Sequence, residues 1–196
     1  MSDNRRPRAV LDADILYSRV LHELFGRLAK ELRLLDIFWS DELLAETQRS
    51  LVEKKNLPEA AASRWVDYLR QSFPSGRIEI DQTKTGRLDE LTRDPGDHHI
   101  CALALAAHAD YLFTHDHGYL HDELSSRGVS VQTPDDFLAT AFDADPEGVV
   151  ALLKLQASTW AGGHPLNELI DAIDRAKASR FAPKVRAYLH AHPAES

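Results

Sequence analysis

Two short apolar runs that each lead into an acid constrain this chain more than any other feature. Ala9-Val10-Leu11 stops at Asp12, and Tyr111-Leu112-Phe113-Thr114 is followed by His115 and Asp116. Runs of three or four apolar residues are too short for helices and suit strands buried on both faces. The segments between them have a different period. From Ile15 to Lys30 the apolar residues Leu16, Val20, Leu21, Leu24, Phe25 and Leu28 recur at helical spacing. Ile37-Phe38-Trp39 reads as a second strand. Ser40 then reads as the N-cap of a helix from Asp41 to about Lys54. A further helix is expected from Pro58 to Phe73, with a weak strand at Ile78-Glu79-Ile80. Asp94-Pro95-Gly96-Asp97 forms a turn into a helix from His98 to Ala109, and Val129-Ser130-Val131 is the last strand. Thr133-Pro134-Asp135-Asp136-Phe137-Leu138 opens another helix. This alternation predicts a three-layer α/β/α fold around a central parallel sheet.

Asp143-Ala144-Asp145-Pro146 reads as a boundary. Beyond it, helical patterns cover Glu147 to Gln156, Leu166 to Ala178 and Phe181 to Tyr188, with Gly162-Gly163-His164-Pro165 between the first two. No strand pattern occurs there. The expected organisation is a core domain over 8–142 and a small all-helical C-terminal extension over 146–192. An apolar fraction of 43% in 196 residues is enough for a real core.

Charge is unevenly distributed. The net charge is −8, yet residues 147–196 hold six basic against five acidic residues. The first 146 residues hold 17 basic against 26 acidic. Such a core is no general nucleic-acid binder, because phosphates are anionic. Bound cations would reverse that local field. No apolar stretch approaches the roughly 20 residues of a membrane span, and Asp12 and Asp14 interrupt the first apolar run, so no leader-like segment is read there. Cys101 stands alone in the apolar stretch Ile100-Cys101-Ala102-Leu103, consistent with a reduced, cytoplasmic protein.

Four carboxylates stand out: Asp12, Glu46, Asp97 and Asp116. Two follow strands, where open parallel sheets bind ligands. Glu46 falls about 60° from Leu43 at 100° per residue, at the margin of an apolar arc, and Asp97 opens a helix on its buried side. Each has a structural role open to it. Asp12 and Asp97 suit N-caps, Asp94 a turn, Asp116 the turn at His117-Gly118, and Glu46 a helix surface. Acids brought together would repel unless a divalent cation joined them. Their conjunction points to a magnesium site, with manganese as a substitute, and to phosphate chemistry by a metal-activated water.

These residues resemble the motifs of PIN domains. Ala9-Val10-Leu11-Asp12-Ala13-Asp14-Ile15-Leu16 is similar to the first, and Asp41-Glu42-Leu43-Leu44-Ala45-Glu46-Thr47 to the second. Asp94-Pro95-Gly96-Asp97-His98-His99-Ile100 is similar to the third, and Tyr111-Leu112-Phe113-Thr114-His115-Asp116 to the fourth. All four occur in order over about residues 8–140, and the helical tail resembles the extension of some VapC-type PIN toxins. The resemblance implies a single-strand endoribonuclease, the toxin of a toxin–antitoxin pair. It implies that Asp12, Glu46, Asp97 and Asp116 form the acidic magnesium site, with Thr114 as a small polar helper. An antitoxin protein and a homodimer are further implications. Asp14 stands where Asn is common, and His115 where a smaller residue is usual. Either a metal contact or a helix cap suits Asp14. For His115 both narrowing of a cleft and contact with a phosphate are open.

Other readings compete. His115, His117 and His121 cluster near Asp116, with His98-His99 elsewhere, but they lack a recognised zinc spacing. Asp12-Ala13-Asp14 after a strand also resembles the nucleophile motif of HAD-like phosphatases, with Asp135-Asp136 as a late acidic pair. A third possibility is a catalytically silent module that binds RNA or protein.

Overall fold

The computed structural model describes residues 5–81, 87–160 and 165–193. Gly162, Gly163 and His164, expected between two helices, lie outside the described residues. Four strands form one sheet in the order β2-β1-β3-β4: β1 (Arg8–Leu11), β2 (Asp36–Phe38), β3 (Tyr111–Phe113) and β4 (Ser130–Gln132). Every pairing is parallel, with Val10 opposite both Phe38 and Leu112, and Leu112 opposite Val131. The parallel sheet expected from the alternation of apolar runs and helices is therefore present.

The chain leaves β1 towards β2 on one side and later returns to β3 on the other. The point where strand order reverses lies between the carboxyl ends of β1 and β3. Ala9, Val10, Leu11, Leu112 and Phe113 are fully buried there or nearly so, which explains their unbroken apolar runs.

The helices in chain order are α1 (Ala13–Leu16), α2 (Arg19–Lys30), α3 (Asp41–Lys55), α4 (Glu59–Ser72), α5 (His98–Ala106), α6 (His121–Ser126), α7 (Pro134–Ala144), α8 (Pro146–Thr159), α9 (Leu166–Arg175) and α10 (Phe181–Ala191). Among the described residues, none is long and apolar enough to cross a membrane. Two expectations need correction. The helical pattern from Ile15 to Lys30 is broken at Tyr17-Ser18, giving α1 and α2 rather than one helix. Ile78-Glu79-Ile80 forms no strand. Only Arg77 bridges Trp39, and the Ile78 N–H donates to the Trp39 carbonyl at 2.8 Å. Gly76 sits so close to β2 that a Cβ there would collide with the Ile37 carbonyl, so only glycine allows this approach.

The described chain divides into two compact units. One comprises Met1–Tyr17 and Arg33–Gln132, and the other Ser18–Leu32 and Thr133–Ser196. That division runs along a different line from the 8–142 and 146–192 boundaries read from sequence. Two helices account for this: α7, which packs on α8 and α10, and α2, whose buried stripe of Val20, Leu21, Leu24, Phe25 and Leu28 packs on α8 and α9. Phe25 stacks on Phe137 at 5.8 Å, and Gln156 Nε2 donates to the Val20 carbonyl at 3.1 Å.

In the sheet unit, α3 shows how local sequence sets an element. The Ser40 hydroxyl accepts from Leu43 N–H at 3.2 Å, Asp41 and Glu42 occupy the first turn, and Lys54 and Lys55 the last. Those charges complement the helix dipole. Asn56, in the left-handed region at φ 53°, stops the helix. The buried side is Leu43, Leu44, Thr47, Ser50 and Leu51.

Candidate metal centre

Asp12 is the first residue after β1, and its backbone N–H still bonds to the Phe113 carbonyl across the sheet, at 3.0 Å. Register alone thus brings the end of β1 beside the end of β3. The Asp12 carboxylate is 6% exposed and has several donors. Oδ1 accepts from Ala13 N–H at 2.6 Å. Oδ2 accepts from the Thr114 hydroxyl at 2.7 Å and the Tyr119 hydroxyl at 3.0 Å. Burial and the neighbouring Asp14 charge still push its carboxyl up to about 6, against the opposing pull of those donors.

Asp97 reaches the same region from a different element. Asp94 Oδ1 accepts from Gly96 N–H at 2.8 Å, which winds Pro95–Asp97 into one 3-10 turn and leaves Asp97 at the start of α5. Asp97 makes no capping bond. Burial, then the charges of Asp12, Asp116, Asp94 and Glu46, push its carboxyl up to about 7. Four other acids therefore act on Asp97, and three of them are the sequence-selected Asp12, Glu46 and Asp116.

Their local surroundings differ. Asp116 is exposed, with Oδ1 accepting from Gly118 N–H, and its own N–H donates to the Thr114 hydroxyl at 2.9 Å. Thr114 thus ties Asp12 to the Asp116 backbone. Glu46, on α3, has Oε2 at 2.9 Å from His99 Nε2, without the alignment of a hydrogen bond. His99 Nδ1 is 2.8 Å from the Gly96 carbonyl. Burial works against a charge on His99, but Glu46, the Gly96 carbonyl and Glu42 together more than offset it and the ring's pKa is raised. His115 turns towards Asp14, with Nδ1 2.8 Å from Oδ2 and its N–H 3.2 Å from the same oxygen. Of the other histidines in that cluster, His117 and His121 are exposed.

Tyr119 and His99 are the contacts that sequence reasoning missed. Tyr119 sits in the polar turn after Asp116 with no periodicity to flag it, yet it is 3% exposed and donates to Asp12. His99 was visible only as half of a His pair. Its position two residues beyond Asp97, opposite α3, is the feature that matters.

The acids suit a hard cation on one specific ground. Asp14 Oδ1 and Asp97 Oδ2 are buried oxygens with no hydrogen-bond donor. A buried carboxylate oxygen without a donor is costly unless the group takes a proton or a cation. Among the described residues no group of three or more His, Cys, Asp or Glu side chains is placed to hold a metal ion together. Magnesium needs none, since it keeps several waters and binds through one or two carboxylates.

The phosphatase reading loses its second motif. Asp135 accepts from Arg180 N–H and Phe181 N–H, and Asp136 pairs with the Arg180 guanidinium, all inside the helical unit.

No curated protein and no solved structure gave a match to this chain. A family model described as PIN domain matches residues 8–118. The match takes in all four acids and more than half of the chain, ending before the last strand. This chain belongs to the PIN domain family, whose members are typically nucleases that use divalent metals.

Proposed function

We propose that this chain is a magnesium-dependent endoribonuclease for single-stranded RNA and the toxin of a VapC-type toxin–antitoxin pair. One observation supports the nuclease reading above the rest. Asp12 and Asp97 are pushed up to about 6 and about 7 at the switch point of a parallel sheet, beside carboxylate oxygens that lack donors. A fold gains nothing from such repulsion, and a bound divalent ion removes it.

Asp12, Asp97 and Asp116 would supply the one or two carboxylates that hold the ion among its waters, with Glu46 as a further ligand or the group that orients the attacking water. Manganese is the expected substitute. When bound, magnesium acidifies a water and offsets charge on the phosphate and the leaving oxygen. The remaining work belongs to the chain. The Thr114 and Tyr119 hydroxyls hold Oδ2 of Asp12 in one orientation. His99 restrains Glu46, and Asp94 sets the turn that presents Asp97. Asp14 adds charge beside Asp12 and is itself restrained by His115. Without metal, Asp97 carries a proton part of the time near pH 7, so metal affinity should rise with pH up to that point.

The toxin role rests on likeness of motifs and tail. An antitoxin would neutralise the acids with an Arg-bearing segment, and a homodimer and a cytoplasmic setting belong to the same proposal. The test is cleavage of a structured RNA mixture by purified protein with magnesium, beside EDTA and Asp97→Asn lanes. Cutting that disappears in both controls supports the proposal. Cutting that survives either one sinks it, and hydrolysis of a small phosphate ester without RNA cleavage moves the assignment to a phosphatase.

A further inference from the structure

Next to the acids, the sheet unit has an aromatic ring flanked by two ammonium groups. Tyr17 closes α1, five residues after Asp12, and its ring is partly exposed. Lys54 Nζ lies 5.4 Å and Lys55 Nζ 5.2 Å from the ring centroid. Burial, then the charges of Asp14, Asp12 and Glu46, raise the pKa of the Tyr17 hydroxyl. The ring is therefore neutral at ordinary pH and close to the candidate metal centre. Among the described residues, neither lysine meets a carboxylate at ion-pair distance, whereas Arg27, Arg77, Arg180, Lys184 and Arg186 all do.

This arrangement has no structural need for two cations. The last turn of α3 gains from positive charge, but one lysine serves that purpose and water serves both. A single strand passing an acidic centre needs the opposite field nearby, and it needs a flat apolar face for its bases. Lysine stems are long enough to swing an ammonium from a ring face to a phosphate.

We propose that Tyr17, Lys54 and Lys55 form a docking point for single-stranded RNA, with Tyr17 stacking one base and the lysines taking the flanking phosphates. The assignment rests on the nuclease reading above. It places one unpaired nucleotide beside the acids and so selects single strands over duplexes, whose bases are already stacked.

The test is binding of a fluorescein-labelled 12-nucleotide oligouridine to the full chain, with calcium in place of magnesium, followed by anisotropy. A strand of the same length without bases is the second probe. Tyr17→Leu should weaken oligouridine binding by about 5- to 100-fold and leave the base-free strand unchanged. Tyr17→Phe should bind within about twofold of the unaltered chain, since the π-face is retained. Lys54→Ala with Lys55→Ala should weaken both probes and lower the salt slope by about 1.4, at roughly 0.7 per phosphate. Melting curves for each variant separate lost binding from lost folding. Equal loss on both strands for a folded Tyr17→Leu protein, or no loss on either, overturns the docking point alone. An unaltered chain that binds neither strand and cuts no RNA overturns the nuclease reading with it.

Discussion

The two units use the same residue type in opposite ways. In the helical unit the aspartates have donors or cations. Asp135 accepts from two backbone N–H groups, Asp136 and Asp143 meet Arg180 and Lys184, Asp171 and Asp174 share Arg186, and Asp145 caps α8. In the sheet unit Arg5, Arg6 and Arg77 neutralise Asp110, Asp36 and Asp41 at the periphery. Around the strand ends, Asp12, Asp116, Asp94 and Glu46 all act on Asp97 instead. A carboxylate with donors is part of the architecture. A carboxylate surrounded by others, as Asp97 is, carries a repulsion that a bound cation would relieve.

The largest expected effect breaks the comparison directly. Asp97→Asn removes one charge from the cluster while keeping its shape, and the rate of RNA cleavage should fall by about 10²–10³-fold. The same change at Asp143 should leave cleavage unaltered. Gel-resolved initial rates on one RNA substrate decide it.

Next comes pH, where the two units should respond with opposite sign. His22 is buried in the helical unit, and desolvation pushes its pKa down to about 4. The folded state therefore binds fewer protons than the unfolded chain between about 6.5 and 4. Stability from this group is complete above 6.5 and falls as pH drops to about 4, by up to about 3 kcal/mol. Asp12 and Asp97 are raised, so the folded state binds more protons between 3.8 and about 7. Metal-free stability from these groups is greatest below 3.8 and declines as pH rises to about 7. Melting of His22→Leu should lose the acid-side decline. Asp97→Asn should lose part of the neutral-side decline and melt above the unaltered chain at pH 8 without metal.

Manganese or magnesium should reverse that last difference. At a free concentration of about 100 Kd, a one-site ligand adds about 2.7 kcal/mol. The unaltered chain should rise in Tm by several degrees at pH 8, and Asp97→Asn far less. An equal rise in both would show that the ion binds elsewhere.

In the helical unit, Asp135→Ala leaves the Arg180 and Phe181 N–H groups without their acceptor. The expected cost is about 1–3 kcal/mol, or roughly 2–4 °C in Tm per kcal/mol, with no change in metal response. The smallest effect belongs to a surface pair. Lys184→Ala removes the partner of exposed Asp143, and the change should stay within about 0.5 kcal/mol by urea titration.

Much of the fold was legible because its signals are local. Ala9-Val10-Leu11 and Tyr111-Leu112-Phe113 read as buried strands from composition alone, and Ser40 read as an N-cap from its place before Asp41. Ile78-Glu79-Ile80 misled because its pattern permits a strand, while bridging there is confined to Arg77 and Trp39. The fate of α2 was not legible either. Its amphipathic stripe shows that it buries one face, but periodicity does not say against what, and the answer was α8 and α9 rather than the sheet unit. Within the candidate centre, the acids themselves could be picked out from strand ends and helix margins. Tyr119 on Asp12, His99 at Glu46 and His115 on Asp14 could not.

By itself, the sequence determined the alternation of strands and helices, the parallel sheet that follows from it, and the presence of acids at two strand ends. Those depend on side-chain period and on caps, which act over a few residues. Only the tertiary structure decided that Asp97 feels four other carboxylates, that hydroxyls from Thr114 and Tyr119 converge on Asp12, and that α2 joins the C-terminal helices. Each of these depends on pairing across long stretches of chain, from residue 12 to residue 119 or from 20 to 156. Such pairing is set by strand register and by which apolar faces meet, and no local pattern encodes it.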